Sequence, residues 1–456
     1  MKIGFLPLYI SLYDKLGTET KEILRVFYND VAAKFEERGV EVFKCDICME
    51  DYQFEKEIER IEANGCDAIV TLHLAYSPGL NSEKALANTK LPIIICDTTR
   101  AFDFSDKQVS SEISYCHGIH GVMDMCNLLK KNKKTYAVAA GHFEESDVLD
   151  RVVGYVKAAK AAKSLDGSRV GILGGHFDGM GDFLVDDNRM KELFGATVVY
   201  PEGDELKEII DSVTDDEIKS GIAKDKEEFE FIEDVTDEIH SNSVKAEIAL
   251  KKWVEKKNLQ ALTVNFLGIK GVLPTMPFTG ICRLMAEQIG YAGEGDTLTA
   301  LFTGALMQGF KDTSFIEIFC PDWKNDTLYI SHMGEMNYNL VDKKPTAFTK
   351  SFAYVDCLPP VGASACFKPG NAVFVNVYED EKGFNAFISP VKVIKETTDN
   401  FKESVRGWLD FSKPISEVLE KISECGATHH SILVYDANPK EIEFFAKCAG
   451  LTPVIY

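Results

Sequence analysis

The sequence predicts an α/β protein in which two Rossmann-like parallel α/β domains are followed by a C-terminal antiparallel β-barrel-like domain. Three observations lead there. Residues 1–166 alternate short apolar strands with amphipathic helices, the rhythm of a parallel sheet covered on both faces. Residues 167–325 repeat that rhythm more loosely. From residue 326 the chain breaks into short β-like runs separated by Gly, Pro, Asn and Asp, the pattern of an antiparallel barrel or sandwich.

The elements follow in order. Residues 2–7 are a short apolar strand. Residues 20–38 place Ile23, Leu24, Phe27, Val31 and Phe35 at helical spacing and stop at Gly39. Residues 40–45 form the next strand, a charged helix follows around 54–63, and 68–72 and 92–96 are continuous apolar strands. Residues 135–140 and 169–173 continue the series, with a polar stretch at 163–168 marking a boundary. The acidic stretch 215–238 reads as a solvated helix face, and 261–264 as a buried strand. In the last third, 327–330, 372–377 and 385–388 read as strands, 412–425 as a helix and 432–434 as a final strand.

Bulk composition narrows the function. With 456 residues, 45% hydrophobic and 27% charged, the chain reads as an ordinary globular protein of several domains. A net charge of −22 argues against nucleic acid or an anionic membrane surface as partner. The N-terminus runs straight into a strand, without the basic and long apolar segments of a signal peptide, and no 18-residue apolar run occurs. The expectation is a cytoplasmic protein whose twelve cysteines are reduced, many of them small buried side chains in apolar runs such as those of Cys96, Cys282 and Cys320.

Nucleotide binding is the first idea a Rossmann-like fold raises. The glycine-rich segment 171–181 follows a strand, but its glycines do not fall in the G-x-G-x-x-G register, and no phosphate-binding G-x-x-x-x-G-K-[ST] loop exists. The histidines say more. His73, His117 and His142 follow strand-like runs or sit in glycine-bounded turns, where parallel α/β folds place ligand sites. Glu294, between Gly293 and Gly295, reads equally as a turn residue or a site residue. Glu317 lies in an apolar strand, so its carboxylate either faces solvent or is buried with partners. His332 follows a strand. Neighbouring residues on extended backbone point to opposite faces, so at most one of His429 and His430 is expected at a shared metal. Carboxylates and imidazoles together suit Mn²⁺ or a related divalent ion.

The contexts of these residues resemble the L-arabinose isomerase family, within the wider arabinose/fucose isomerase group. Leu72-His73-Leu74-Ala75-Tyr76-Ser77-Pro78 is similar to the family's W-L-H-T-F-S-P, and Cys116-His117-Gly118 with Ala140-Gly141-His142-Phe143 resembles its A-H-G-G and G-H-W. Gly290-Tyr291-Ala292-Gly293-Glu294-Gly295-Asp296 is similar to G-F-A-G-E-G-D, Thr313-Ser314-Phe315-Ile316-Glu317 to T-S-F-M-E, Ser331-His332-Met333 to S-H-M, and Ala427-Thr428-His429-His430-Ser431 to G-A-H-H-T. The chain departs from the pattern after Glu317, where Ile318-Phe319-Cys320-Pro321 replaces D-Y-T-Y. It departs again after Met333, where Gly334-Glu335-Met336-Asn337-Tyr338 replaces L-E-V-C-P.

The resemblance implies a metal-dependent aldose–ketose isomerase acting through a cis-enediol. Carried over residue by residue, Glu294, Glu317, His332 and His430 match the metal ligands, and the two glutamates the catalytic pair. Tyr76, His117, Met180, Lys270, Phe278 and His429 match positions at or near the sugar pocket. The implied cofactor is Mn²⁺, with Mg²⁺ or Co²⁺ as alternates. The implied substrate is a monosaccharide, and the implied assembly a homo-oligomer, trimer or hexamer, in which a neighbouring subunit completes the site. The implied domains are 1–166, 167–325 with Glu294 and Glu317, and 326–456 with His332 and His430. The alternatives are a non-catalytic sugar-binding relative and a nicotinamide-dependent sugar oxidoreductase.

Overall fold

A computed structural model of the chain describes residues 1–16, 19–349, 355, 357–395, 400–435 and 437–456. They fall into two compact units, Met1–Lys163 and Ser164–Tyr456.

The first unit is built on strands β1 (Lys2–Leu8), β2 (Glu41–Lys44), β3 (Ala68–His73), β4 (Ile93–Asp97) and β5 (Tyr136–Ala140). They form one parallel sheet in the order β2-β1-β3-β4-β5. Ile69, Val70, Ile93, Ile94 and Ile95 are buried on both faces of their strands, which is why these runs are apolar throughout rather than alternating. The strand order reverses direction between β1 and β3, and His73 ends β3 at that point, opposite Leu8.

The second unit opens with β6 (Arg169–Leu173) and β7 (Thr197–Val199). A two-residue strand, β8 (Glu230–Phe231), lies outside their sheet, and β9 (Ala261–Val264) and β10 (Gly290–Gly293) complete it. The sheet is parallel, in the order β10-β9-β6-β7. The helix Thr297–Gly309 packs on β9 and β10 and also on barrel strands, so nearly every side chain along it is buried and it is apolar all round. A Cβ on Gly290 would run into the Gly304 backbone, so glycine at these positions sets how closely helix and sheet approach.

The remaining strands are β11 (Thr313–Asp322), β12 (Thr327–His332), β13 (Thr346–Thr349), β14 (Val361–Cys366), β15 (Gly370–Asp380), β16 (Gly383–Val393), β17 (Val405–Asp410), β18 (His430–Tyr435) and β19 (Thr452–Ile455). Six of them close an antiparallel barrel in the order β16-β15-β18-β11-β12-β17, and β17 returns to β16 through Lys392↔Asp410 and Val393↔Leu409. Ile316, Ile330, Phe374, Phe387, Leu409 and Leu433 belong to its core. The barrel takes in Thr313–Asp322, upstream of residue 326 where the sequence turns visibly β-rich. Glu317 therefore belongs to a barrel strand and not to the central sheet. The apolar run around it looks the same in either setting, so only the pairing with β12 and β18 decides.

The acidic stretch is not wholly solvated. In the helix Asp215–Glu228, Asp225 turns inward, where its carboxylate meets Arg283 Nη2 at 2.6 Å and His240 Nε2 at 2.8 Å. Among the described residues no helix is long and apolar enough to cross a membrane.

Candidate metal centre

Four side chains converge where the central sheet meets the barrel. Glu294 comes off the end of β10 in a tight turn, its backbone in the left-handed region at φ 63° between Gly293 and Gly295. Its N–H bonds the Val264 carbonyl at 3.0 Å, and its carbonyl accepts from Phe177 N at 3.0 Å. A bland turn residue would face water, but Glu294 is buried. Glu317 and His430 are register partners across β11 and β18, on the face turned away from the barrel core. His332 ends β12, next to Glu317.

The distances bring the ligand atoms of these residues close to one another. His430 Nε2 lies 3.5 Å from Glu294 Oε2, and His332 Nε2 lies 3.5 Å from Glu317 Oε2. Ligand atoms of Glu317, His332 and His430 lie within 4.8 Å of one another, as do those of Glu294, His429 and His430. Glu294 Oε2, His332 Nε2 and His430 Nε2 are buried, with no hydrogen-bond partner among the described residues. Buried polar atoms left this way cost about 1–3 kcal/mol each, a cost that a shared ion would relieve. The residues present therefore fit a divalent metal, with mixed oxygen and imidazole donors of the kind that suits Mn²⁺.

Burial and the neighbouring charges pull the ionisable groups of the cluster in opposite directions. Burial pushes Glu294 up, but His429, His430 and His332 outweigh it and hold the carboxyl down at about 2. Burial raises Glu317 above the usual carboxylate range, against the pull of His332 and His430. Burial lowers His332, yet Glu335, Glu317 and Glu294 lift it to about 9. His429, likewise opposed by burial, is lifted to about 10 by Asp182 and Glu294.

Each imidazole is held by a carboxylate through Nδ1, leaving Nε2 free to turn inward. Asp296 Oδ2 meets His430 Nδ1 at 2.9 Å while its other oxygen caps the helix Thr297–Gly309 at Thr299 N, 2.8 Å away. Glu335 Oε1 meets His332 Nδ1 at 2.7 Å, and Asp182 Oδ2 meets His429 Nδ1 at 2.7 Å. Phe183 stacks flat on the His430 ring, at 5.1 Å and 4°. Sequence reasoning missed Asp182, Phe183, Asp296 and Glu335 as site residues. Asp296 carried a local signal, an acidic N-cap directly before an apolar helix, and Glu335 falls on the glutamate of the family's L-E-V-C-P.

His429 and His430 both turn toward the carboxylates, although neighbours on extended backbone point to opposite faces. β18 begins at His430, so His429 precedes the extended stretch and strand alternation does not govern it. Asp182 accepts from both His429 N and the ring, turning the imidazole inward. His429 Nε2 then lies 3.6 Å from Glu294 Oε2 and 3.9 Å from Glu317 Oε1.

The other expected pocket residues are placed differently. Met180 sits in the loop after β6, the same loop that brings Phe177 to Glu294 and Asp182 to His429. The glycine-rich segment weighed as a phosphate cradle thus wraps this centre, and a Cβ on Gly295 would meet the Gly175 carbonyl. Phe278 is buried beside Gly334. Lys270 is exposed and lines an open hollow of about 650 Å³ with Lys207, Leu273 and Pro274, to which none of the four candidate ligands contributes. Tyr76 and His117 lie in the first unit, their rings 6.4 Å apart, with Tyr13 Oη 2.8 Å from His117 Nε2.

Comparison with known proteins bears on the whole arrangement. Residues 185–309 match the family model of the L-arabinose isomerase central domain, and residues 312–452 that of the C-terminal domain. L-arabinose isomerase 2 of Clostridium acetobutylicum is 22% identical over 466 aligned residues, covering 98% of this chain and 90% of that protein. L-arabinose isomerase 1 of the same organism is 24% identical, covering 85% of this chain and 81% of its own length. L-arabinose isomerase 2 of Bacillus licheniformis is 24% identical over 74% of this chain and 73% of that protein. The two domain models meet between residues 309 and 312, just where the barrel begins, and between them take in Glu294, Glu317, His332 and His430. The chain belongs to the L-arabinose isomerase family, as a divergent member of this group of sugar isomerases.

Proposed function

We propose that the protein is a Mn²⁺-dependent aldose–ketose isomerase, like the L-arabinose isomerases it resembles, with Mg²⁺ or Co²⁺ as alternate ions. The observation that carries this reading is the set of buried, partnerless donor atoms on Glu294, His332 and His430, facing one another and the Glu317 carboxylate. A purely sugar-binding relative would have no use for such a set, and no dinucleotide cradle supports an oxidoreductase.

Glu294, Glu317, His332 and His430 would hold the ion. When bound, it supplies Lewis-acid stabilisation of charge developing on the sugar's carbonyl oxygen. The chain's own residues do the proton work. Isomerisation of an aldose moves the C2 proton to C1 and the O2 hydroxyl proton to O1, by way of a cis-enediol. Glu294 and Glu317 share these two transfers, one taking and returning the carbon-bound proton and the other relaying the hydroxyl proton. His429, less buried than its neighbour and within 4 Å of both carboxylates, faces the side from which a sugar hydroxyl would approach.

Tyr76 and His117 are assigned to sugar binding by the resemblance of their segments to the family's motifs. The segment around His117 exposes Phe102, Phe104, Val109, Ile113 and Met123. Exposed apolar surface of this kind supports a homo-oligomer, trimer or hexamer, in which a neighbouring copy completes the pocket. The changed residues after Glu317 and Met333 favour a substrate panel wider than L-arabinose. The test is NMR of Mn²⁺-loaded protein with pentoses, hexoses and deoxyhexoses. Conversion of one aldose to its ketose, abolished by chelator and restored by Mn²⁺, is expected; a panel left wholly unchanged overturns the proposal.

A further inference from the structure

Glu335 lies outside the candidate ligand set, three residues after His332 and in line with the glutamate of the family's L-E-V-C-P, and it is almost fully buried. Three donors converge on its carboxylate. His332 Nδ1 meets Oε1 at 2.7 Å, the Tyr291 hydroxyl donates to the same oxygen at 2.9 Å, and Gly334 N donates to Oε2 at 2.8 Å. Glu335 engages the His332 ring through Nδ1, which leaves Nε2 as the atom turned toward the cluster. Tyr291 is fully buried on β10, three residues before Glu294. One carboxylate thus joins a barrel ligand, His332, to the strand that delivers the sheet ligand, Glu294.

We propose that Glu335 is a positioning residue of the metal centre. It fixes the tautomer and orientation of His332 and, through Tyr291, the spacing between the ligands of the barrel and those of the central sheet. This rests on the metal-isomerase reading above. Carboxylates behind metal-bound imidazoles have measurable leverage, since losing such a partner weakens metal binding by about 10–100-fold. Tyr291 supplies the link that makes the effect structural across two layers rather than local to one ring.

The test is Mn²⁺ binding to the full chain, read by EPR of the free ion, for wild type, Glu335→Gln, Tyr291→Phe and the double variant. Glu335→Gln should raise the Mn²⁺ Kd by about 10–100-fold. Tyr291→Phe, which removes one hydroxyl and keeps the ring packing, should weaken binding by a smaller factor. The double variant should be no weaker than Glu335→Gln alone, because both changes break one chain of contacts. The visible spectrum of the Co²⁺-loaded protein should shift in both single variants, which a loss of fold stability alone would not cause. Wild-type Mn²⁺ affinity in folded Glu335→Gln and Tyr291→Phe overturns this inference alone. Failure of the wild type itself to bind Mn²⁺ overturns it together with the metal-isomerase reading.

Discussion

Glu317 and His430 face each other directly across the β11–β18 pair, in register, on the outer face of the barrel. Directly opposed positions on neighbouring strands hold their Cβ atoms about 5 Å apart, so the backbone ladder, not side-chain flexibility, sets their spacing. Glu294 approaches from the central sheet in a left-handed turn braced by Gly295. A centre assembled from two rigid layers should lose metal when a donor is removed and keep its fold.

Glu294→Gln and His430→Ala should therefore each weaken Mn²⁺ binding by at least about 100-fold, beyond the range typical of supporting residues, and abolish turnover. Circular dichroism and a melting temperature near that of the metal-free wild type should show that the fold survives. Full activity in either variant would remove that residue from the ligand set.

Gly293 offers a purely steric test of the same centre. A Cβ at this position would sit 2.7 Å from His332 Cε1 and 2.8 Å from Nε2. The added methyl of Gly293→Ala would press on the atom that must face the ion. Mn²⁺ affinity and kcat should both fall by at least about tenfold, equivalent to about 1.4 kcal/mol, although no charge or hydrogen bond is removed. Unaltered Mn²⁺ binding by Gly293→Ala would show that His332 Nε2 does not point where the centre needs it.

How much of this could be read from residues alone depends on the range of the interaction. The parallel rhythm of β1, β3 and β4 was plain because strands buried on both faces are apolar without interruption. Glu294, Glu317, His332 and His430 stood out through short contexts that each survive as local sequence. Asp182, 247 residues away in sequence from the His429 it orients, leaves no local trace. Glu335 lies close to His332 in sequence, but nothing in the pattern says that the turn folds its carboxylate back onto the ring. Glu317 was assigned to the wrong layer because an apolar strand reads the same in a parallel sheet and in a barrel. That His429 also turns toward the carboxylates is not legible, because it stands one residue before the strand begins and alternation does not govern it.

Asn376 is another residue whose role only the fold reveals. Fully buried on β15, it donates from Nδ2 to the carbonyls of Thr428 and His430, both at 2.7 Å, and accepts from Thr428 N at 3.1 Å. It therefore fixes the backbone that presents both histidines. Asn376→Ala would strand the Thr428 N–H and carbonyl in a dry interior, at a cost of about 2–6 kcal/mol for two groups. A lower melting temperature and weaker Mn²⁺ binding should appear together. A variant that melts early yet binds Mn²⁺ normally would limit Asn376 to a packing role.

His73 predicts how the first unit responds to acid. The ring is buried at the end of β3, and neither nitrogen has a hydrogen-bond partner among the described residues. Burial alone depresses its pKa to about 3, against about 6.5 in an unfolded chain. Between those values the unfolded state binds a proton that the folded state refuses, so stability must fall as pH falls through this window and level off below it. The slope is at most about 1.4 kcal/mol per pH unit, because one proton is involved. His73→Leu removes the titration while filling the same space with an apolar side chain. Urea unfolding of the full chain at pH 7, 5.5 and 4.5, read from the first unit by hydrogen exchange, should show wild type losing more stability than His73→Leu over that range. Parallel losses in the two proteins would mean that His73 takes up its proton in the folded state as readily as in the unfolded one.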